Sequence, residues 1–288
     1  PRPARALNCL RLALDLRTGA VERAAIKTFA GECQLLLGQT NAAVATLLDA
    51  YRENPSFHTP LIRLGTVYAA DPDATNRLAC QARTSGASDT PLLLLAATQQ
   101  ALGDHAAAAA TLREAYARRM RAGYFPTEGF YLWLASLLDK QQSRGETERL
   151  LREAIAAHTS SHELKNFLAY MWAEDDMCLD DASRLANEAL LADPDNAAYL
   201  DTKGWILFKT GRFYEALQFL LRAAELDRQE PVIFDHTGDV LCRVGRETEA
   251  LVFWARSYQL DPTPAVADKL KMRGVALPAP EIPNTPAP

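Results

Sequence analysis

The sequence predicts an all-α fold laid out as an array of helix-turn-helix units, and three observations predict it. Gly204 and Gly238 stand one repeat of 34 residues apart, and the same step superposes Gly211 on Gly245 and Ala216 on Ala250. Between these positions apolar residues recur at helical spacing, as Leu217, Leu220 and Leu221 in one copy and Leu251 and Trp254 in the next. Asp193-Pro194 and Asp261-Pro262 stop the pattern, because proline cannot donate to a helix and restrains the residue before it. Paired helices with this period form a solenoid in which each unit packs on its neighbours.

The small residues have mechanical reasons. Gly204 and Gly238 on the first helices, facing Ala216 and Ala250 on the second, let two backbones approach closely. Gly211 and Gly245 end the first helices, where glycine takes the left-handed conformation that opens a short turn.

Taken in order, Ala4 to Leu16 reads as a second helix without a first. A unit from Ala24 places Gly31, Gly38, Ala43, Ala50 and Pro55 in register, and the next, from His58, opens with Leu64, Gly65 and Tyr68 but is short. A unit around Asp89 uses Ala96, Gly103, Ala108 and Ala115. A polar insertion near Arg118 to Thr127 then precedes a first helix, Glu128 to Lys140. Its partner, Glu146 to Ala157, keeps Ala154 but lacks the turn glycine, so this unit reads as degenerate and as a bend. The unit from His162 carries Leu168, Ala169, Trp172, Ala182 and Ala189, with one extra residue near Asp175 to Asp180. Ala197 to Glu230 and Pro231 to Pro264 are the regular units; Ala265 to Met272 is a capping helix, and Ala276 to Pro288 a proline-rich flexible tail. The expected organisation is amino-terminal units over 1–123, a degenerate unit over 124–161, regular units and cap over 162–274, and the tail over 275–288.

This set of small residues, turn glycines and Asp-Pro stops resembles the tetratricopeptide repeat (TPR) family, most closely over Ala197 to Glu230 and Pro231 to Pro264. The resemblance implies a TPR-like right-handed α-solenoid of about seven units, truncated at its amino terminus, whose first helices line a concave groove for a peptide or helix of a protein partner. Its inward positions fall on Trp133 and Asp139, on Asn166, Phe167 and Tyr170, on Asp201, Trp205 and Phe208, and on Asp235, His236, Asp239 and Arg243. Trp172 and Trp254 read as core. The family's chaperone-binding members clamp a terminal carboxylate with Lys, Asn and Arg, a set this chain lacks. Its groove is rich in acids, so an acidic tail is disfavoured by like-charge repulsion.

A narrower resemblance covers about Ser161 to Pro262. Asn166-Phe-Leu-Ala-Tyr-Met-Trp-Ala, Asp193-Pro-Asp-Asn-Ala-Ala-Tyr-Leu-Asp-Thr-Lys-Gly-Trp-Ile-Leu and Phe234-Asp-His-Thr-Gly-Asp-Val-Leu are similar to Gram-negative envelope lipoproteins that scaffold a carboxy-terminal processing protease. It implies a bacterial adaptor with a protease as partner, in the periplasm or at the outer membrane, with the cytoplasm as the alternative.

Net charge of -5 and a pI near 5.6 offer no basic field to a phosphate backbone; apart from Arg118, Arg119 and Arg121 the cations are scattered, which argues against a nucleic-acid partner. The five cysteines, Cys9, Cys33, Cys80, Cys178 and Cys242, form no CxxC pair and read as mostly buried thiols, pointing toward a reducing compartment. No apolar run reaches the ~20 residues of a membrane span. Pro1 to Arg5 shows neither an initiator methionine nor a signal-peptide core, so the chain reads as a fragment lacking its beginning.

No HExxH, GxSxG, GxGxxG, P-loop or EF-hand pattern occurs, and no cofactor or metal site is expected. The closest approach to chemistry is Asp235, His236 and Asp239 with Asp201 one unit earlier, which stacked first helices would gather; the bland reading is a solvated polar patch. The first reading is a non-enzymatic adaptor. The competing ones are an array that self-associates through apolar ends and an accessory domain of a larger enzyme.

Overall fold

The computed structural model describes residues 3–16, 19–84 and 89–280, with backbone alone at 83. All regular secondary structure among them is helical, in sixteen helices. The chain divides into two compact units, Pro1–His158 and Thr159–Pro288.

In the second unit, α10 (His162–Glu174) pairs with α11 (Leu179–Ala192), α12 (Ala197–Lys209) with α13 (Phe213–Leu226), and α14 (Pro231–Arg243) with α15 (Glu247–Leu260); α16 (Pro264–Lys271) packs on α15. The starts are set by side-chain caps: Asn196 Oδ1 accepts from the Ala198 and Tyr199 amides at 3.1 and 3.3 Å, and Ser161 Oγ accepts from Leu164 N–H. Gly204 lies on Leu220 and Gly238 on the Trp254 ring, where an added Cβ would come within 2.6 and 2.5 Å of carbon atoms. The core here runs through Leu207, Leu220, Val240, Leu241 and Trp254 to Val266 and Leu270 of α16. Burying each large side chain contributes roughly 1.5–3 kcal/mol, so α16 caps the unit by covering its last apolar face. Trp172 and Trp254, at 4% and 2% exposure, are core as expected.

In the first unit, α1 (Pro3–Leu14) packs on α2 (Ala20–Leu36), which pairs with α3 (Thr40–Glu53). Then come α4 (Thr59–Ala69), α5 (Pro72–Thr84), α6 (Thr90–Ala101), α7 (His105–Arg121), α8 (Glu128–Lys140) and α9 (Arg144–Ala157). One unpaired helix, seven pairs and a cap reproduce the predicted order, and α8 matches its expected bounds.

Several expectations are corrected. Arg118, Arg119 and Arg121 form the last turn of α7, so the polar insertion is confined to residues 122–127; cations there suit a helix carboxy terminus. α4 packs chiefly on α6 and only lightly on its hairpin partner α5. The reason is visible at Gly65, where an added Cβ would lie 2.4 Å from the backbone of Ala97 in α6, whereas Gly31, Gly204 and Gly238 each face their own partner helix. Among its described side chains, the polar α5 buries just Ala74, Leu78 and Ala82. The turn after α8 is also intact without glycine. Gln142 takes φ 60° and Asp176, after α10, φ 53°, the region used by Gly211 and Gly245 at 79° and 81°. Gln142 N–H bonds Asp139 O and Ser143 N–H bonds Leu138 O, the same double closure that Gly211 and Arg212 make on Phe208 and Leu207.

The cysteines differ most from expectation. Cys9, Cys80 and Cys178 are exposed and Cys33 and Cys242 half-buried, because none falls on an inward stripe of its helix; Cys178 sits in the turn before α11. The burial argument for a reducing compartment therefore falls. Of the proline tail, residues 281–288 lie outside the described residues.

Candidate functional site

The first helices of the second unit bring most of the candidate residues together on one face. Trp205 is the centre of a ring stack: its indole lies 3.9 Å from the His236 imidazole with the planes 9° apart, and 4.8 Å from Phe208 with the planes 13° apart. His236 and Tyr170 rings follow at 6.2 Å. The spacing causes this. Trp205 and Phe208 are one turn apart on α12, and His236 occupies the neighbouring position of α14.

Cations flank the stack at Trp205 and at its Phe208 end. Lys209, four residues after Trp205, places Nζ 5.2 Å from its ring, and the Arg243 guanidinium lies 5.9 Å over Phe208 and 4.8 Å over Phe213. Lys209 also holds Asp176 at 3.1 Å. Arg243 is exposed and has no carboxylate partner among the described residues.

The acids of this face are paired within the fold, two carboxylates to each cationic partner. Asp201, 5% exposed, accepts from His236 Nδ1 at 2.9 Å, while Nε2 of the same ring is 4.0 Å from Glu174. Burial pushes the His236 pKa down, but the Asp201 and Glu174 carboxylates outweigh it and the net direction is upward. Asp235 and Asp239 both hold Lys269 of α16 at 2.6 Å, and Asp239 also accepts from Trp254 Nε1. Burial raises the Asp235 carboxyl against the pull of Lys269. Pairing weakens the like-charge repulsion of an acidic ligand without abolishing it, and the carboxylate cluster around one imidazole is a buried Asp201–His236 pair with Glu174 beside it. No group of three metal-ligating side chains is found among the described residues.

Exposure divides the predicted residues. Trp205 and His236, at 8% and 5%, and Asp201 form the buried floor; Asn166, Phe167, Tyr170, Phe208, Asp235 and Asp239 are half-buried; Arg243 stands in solvent. Trp133 and Asp139 belong to the first unit: Trp133 is buried, donating from Nε1 to Gln100 Oε1 at 2.6 Å beside His58, and Asp139 pairs with Arg144. The sequence reading missed Lys209, Phe213, Glu174 and Lys269. Lys269 was within reach, since it lies 34 residues after Asp235, one repeat on.

Residues 197–230, which are α12, α13 and their flanks, match the tetratricopeptide repeat family model. No curated protein sequence matches the chain. Among solved structures, a chain of the APC/C hetero-tetramer Cut9–Hcn1 superposes with a TM-score of 0.61 at 17% identity, over 94% of this chain and 55% of that one. Yeast Tom70 gives 0.54 at 18% identity, over 94% and 59%. A thermophilic TPR protein of Thermus thermophilus gives 0.52 at 19%, over 65% of this chain and 96% of that one. This chain thus spans little more than half of the first two. At such identities the likeness concerns the fold, and it agrees with the repeat: the chain is a helical-repeat protein with a TPR-like solenoid fold, one of whose units carries the tetratricopeptide pattern itself.

Proposed function

We propose that the chain is a non-enzymatic interaction scaffold whose ligand, an extended peptide or a helix from a protein partner, lies on the first-helix face of α10, α12 and α14. The observation that carries this is the half-buried aromatic ledge of Tyr170 and Phe208, seated on a floor of Trp205 and His236 and flanked by the unpaired Arg243. Rigid rings supply contact area at low entropic cost, and a guanidinium held on two rings is preorganised to fix a ligand's direction. The open charge beside Phe208 is the Arg243 guanidinium, so a ligand that sets a carboxylate there, beside an apolar residue, fits best. A role in bringing a protease and its substrates together, as the resemblance of the Ser161 to Pro262 segment suggests, would use this face for one of them.

The test is affinity for partners captured by pulldown. Phe208→Ala and Arg243→Ala should each weaken binding about tenfold or more with the circular-dichroism melt unchanged. Retention of full affinity in both would remove the assignment.

A second reading has its own observation. Leu12, Val21, Phe29 and Leu36 of α1 and α2 are 68%, 66%, 59% and 54% exposed, an apolar surface suited to self-association. Light scattering across a dilution series distinguishes it, since oligomers that dissociate on dilution and are lost in Phe29→Glu would favour this reading.

A further inference from the structure

On the second-helix side of the second unit, α13 and α15 part to leave a cleft of about 670 Å³. Its floor is apolar: Leu221 and Ala224 from α13, Phe234 from α14 and Phe253 from α15, with the two phenylalanine rings 5.9 Å apart. Val252, 65% exposed, stands on its wall. The rim carries Glu225 and two arginines. Arg256 lies 6.0 Å over Phe234 and donates to the Arg228 carbonyl, and the Arg228 guanidinium has no carboxylate partner among the described residues. None of the proposed ligand-binding residues of the first-helix face lines it.

We propose that this cleft docks an amphipathic α-helix of a partner protein, presenting two or three aliphatic or aromatic side chains on one face and a carboxylate beside them. Three features select that occupant. One wall runs from Leu221 through Glu225 of α13 to Arg228 just past its end, the other from Val252 to Gln259 of α15, each about the reach of side chains at i, i+3 or i+4, and i+7 of an inserted helix. The walls are helices whose backbone groups are already bonded, so an extended strand would bury unsatisfied amides, whereas a helix satisfies its own. The rim bears one more positive charge than negative, with Arg228 open, which matches a carboxylate and opposes a lysine. The site is independent of the first-helix face, so the two together would let one chain hold two partners.

The test is selection from a display library of randomised peptides of about 16 residues, roughly four helical turns, against the wild-type chain with counter-selection on Val252→Asp. Val252 is exposed, so that variant should fold, and its melt checks this. Enriched sequences should carry apolar residues at i, i+3 or i+4, and i+7 with a flanking Asp or Glu. By fluorescence anisotropy they should bind Val252→Asp about tenfold more weakly and Arg228→Glu about fivefold more weakly, while Phe208→Ala and Arg243→Glu leave binding unchanged. The proposal is overturned if the enriched peptides lack the helical pattern, if they bind Val252→Asp as well as wild type, or if Arg243→Glu abolishes binding. A dimer that Val252→Asp dissolves, with no peptide enriched, would also overturn it by making a second copy the occupant.

Discussion

Gln142 and Asp176 hold a backbone conformation that costs a non-glycine residue about 1–2 kcal/mol. Gln142→Gly relieves that strain but adds entropy to the unfolded chain, so we expect a net gain of about 0.5–1 kcal/mol, read as a raised midpoint in urea. Gly65→Ala should act the other way. Its new methyl would sit 2.4 Å from the Ala97 backbone, which cannot retreat as a side-chain tip can, and overpacking of this kind costs about 1–3 kcal/mol; a melt no lower than wild type would show that α4 and α6 are not in contact there. The two cases mark a limit of reading residues by type. Glycine identifies a left-handed turn when present, but register and hydrogen bonding build the same turn over Gln142. Gly65 looks like Gly204 and Gly238 in sequence, yet which helix it touches depends on how α5 packs.

Among the elements, α16 joins stability to the candidate site. It seals the core with Val266 and Leu270, and its Lys269 is the counter-charge for Asp235 and Asp239 on the first-helix face. Lys269→Met keeps the apolar stem and removes the ammonium, leaving two half-buried carboxylates near each other. The expected loss is about 1–3 kcal/mol, with ligand affinity lowered for acidic partners because the freed acids repel them; chemical denaturation and binding measured on the same variant check both. The bounds of α8 and the capping role of α16 were legible in the sequence, since both follow from local periodicity. That Asp235 and Asp239 share Lys269 was only half legible: the 34-residue step from Asp235 marks the lysine, but the contact follows only once α16 is seen to pack back on the unit.

For the whole molecule, two buried histidines predict opposite responses to pH in the two units. His58 is held down at about 4, by burial and then by the Arg119 charge, with Asp89 opposing. A folded pKa below the unfolded ~6.5 gives stability that is present above pH ~6.5 and lost as pH falls toward 4, on the order of 3 kcal/mol at most. His236 is shifted upward by Asp201 and Glu174 against its burial. Its contribution is fully present below the unfolded pKa and lost as pH rises through the folded one. Hydrogen exchange, corrected for intrinsic rates, should therefore show α4 amides less protected on acidification from pH 6.5 to 4, and α14 amides less protected as pH rises above 6.5. Asp201→Asn should flatten the second trend; an unchanged slope would mean that the pair does not set it. The sequence by itself determined the all-helical class, the repeat register, the order of the helices and the core positions of Trp172 and Trp254, because helical periodicity, caps and turns are local and recur from copy to copy. Tertiary structure alone decided which cation each candidate acid is paired with, that Trp205 and His236 form a floor while Arg243 stays open, and that a cleft separates α13 from α15, because each depends on contacts between helices distant in the chain, where small differences in packing select one partner over another.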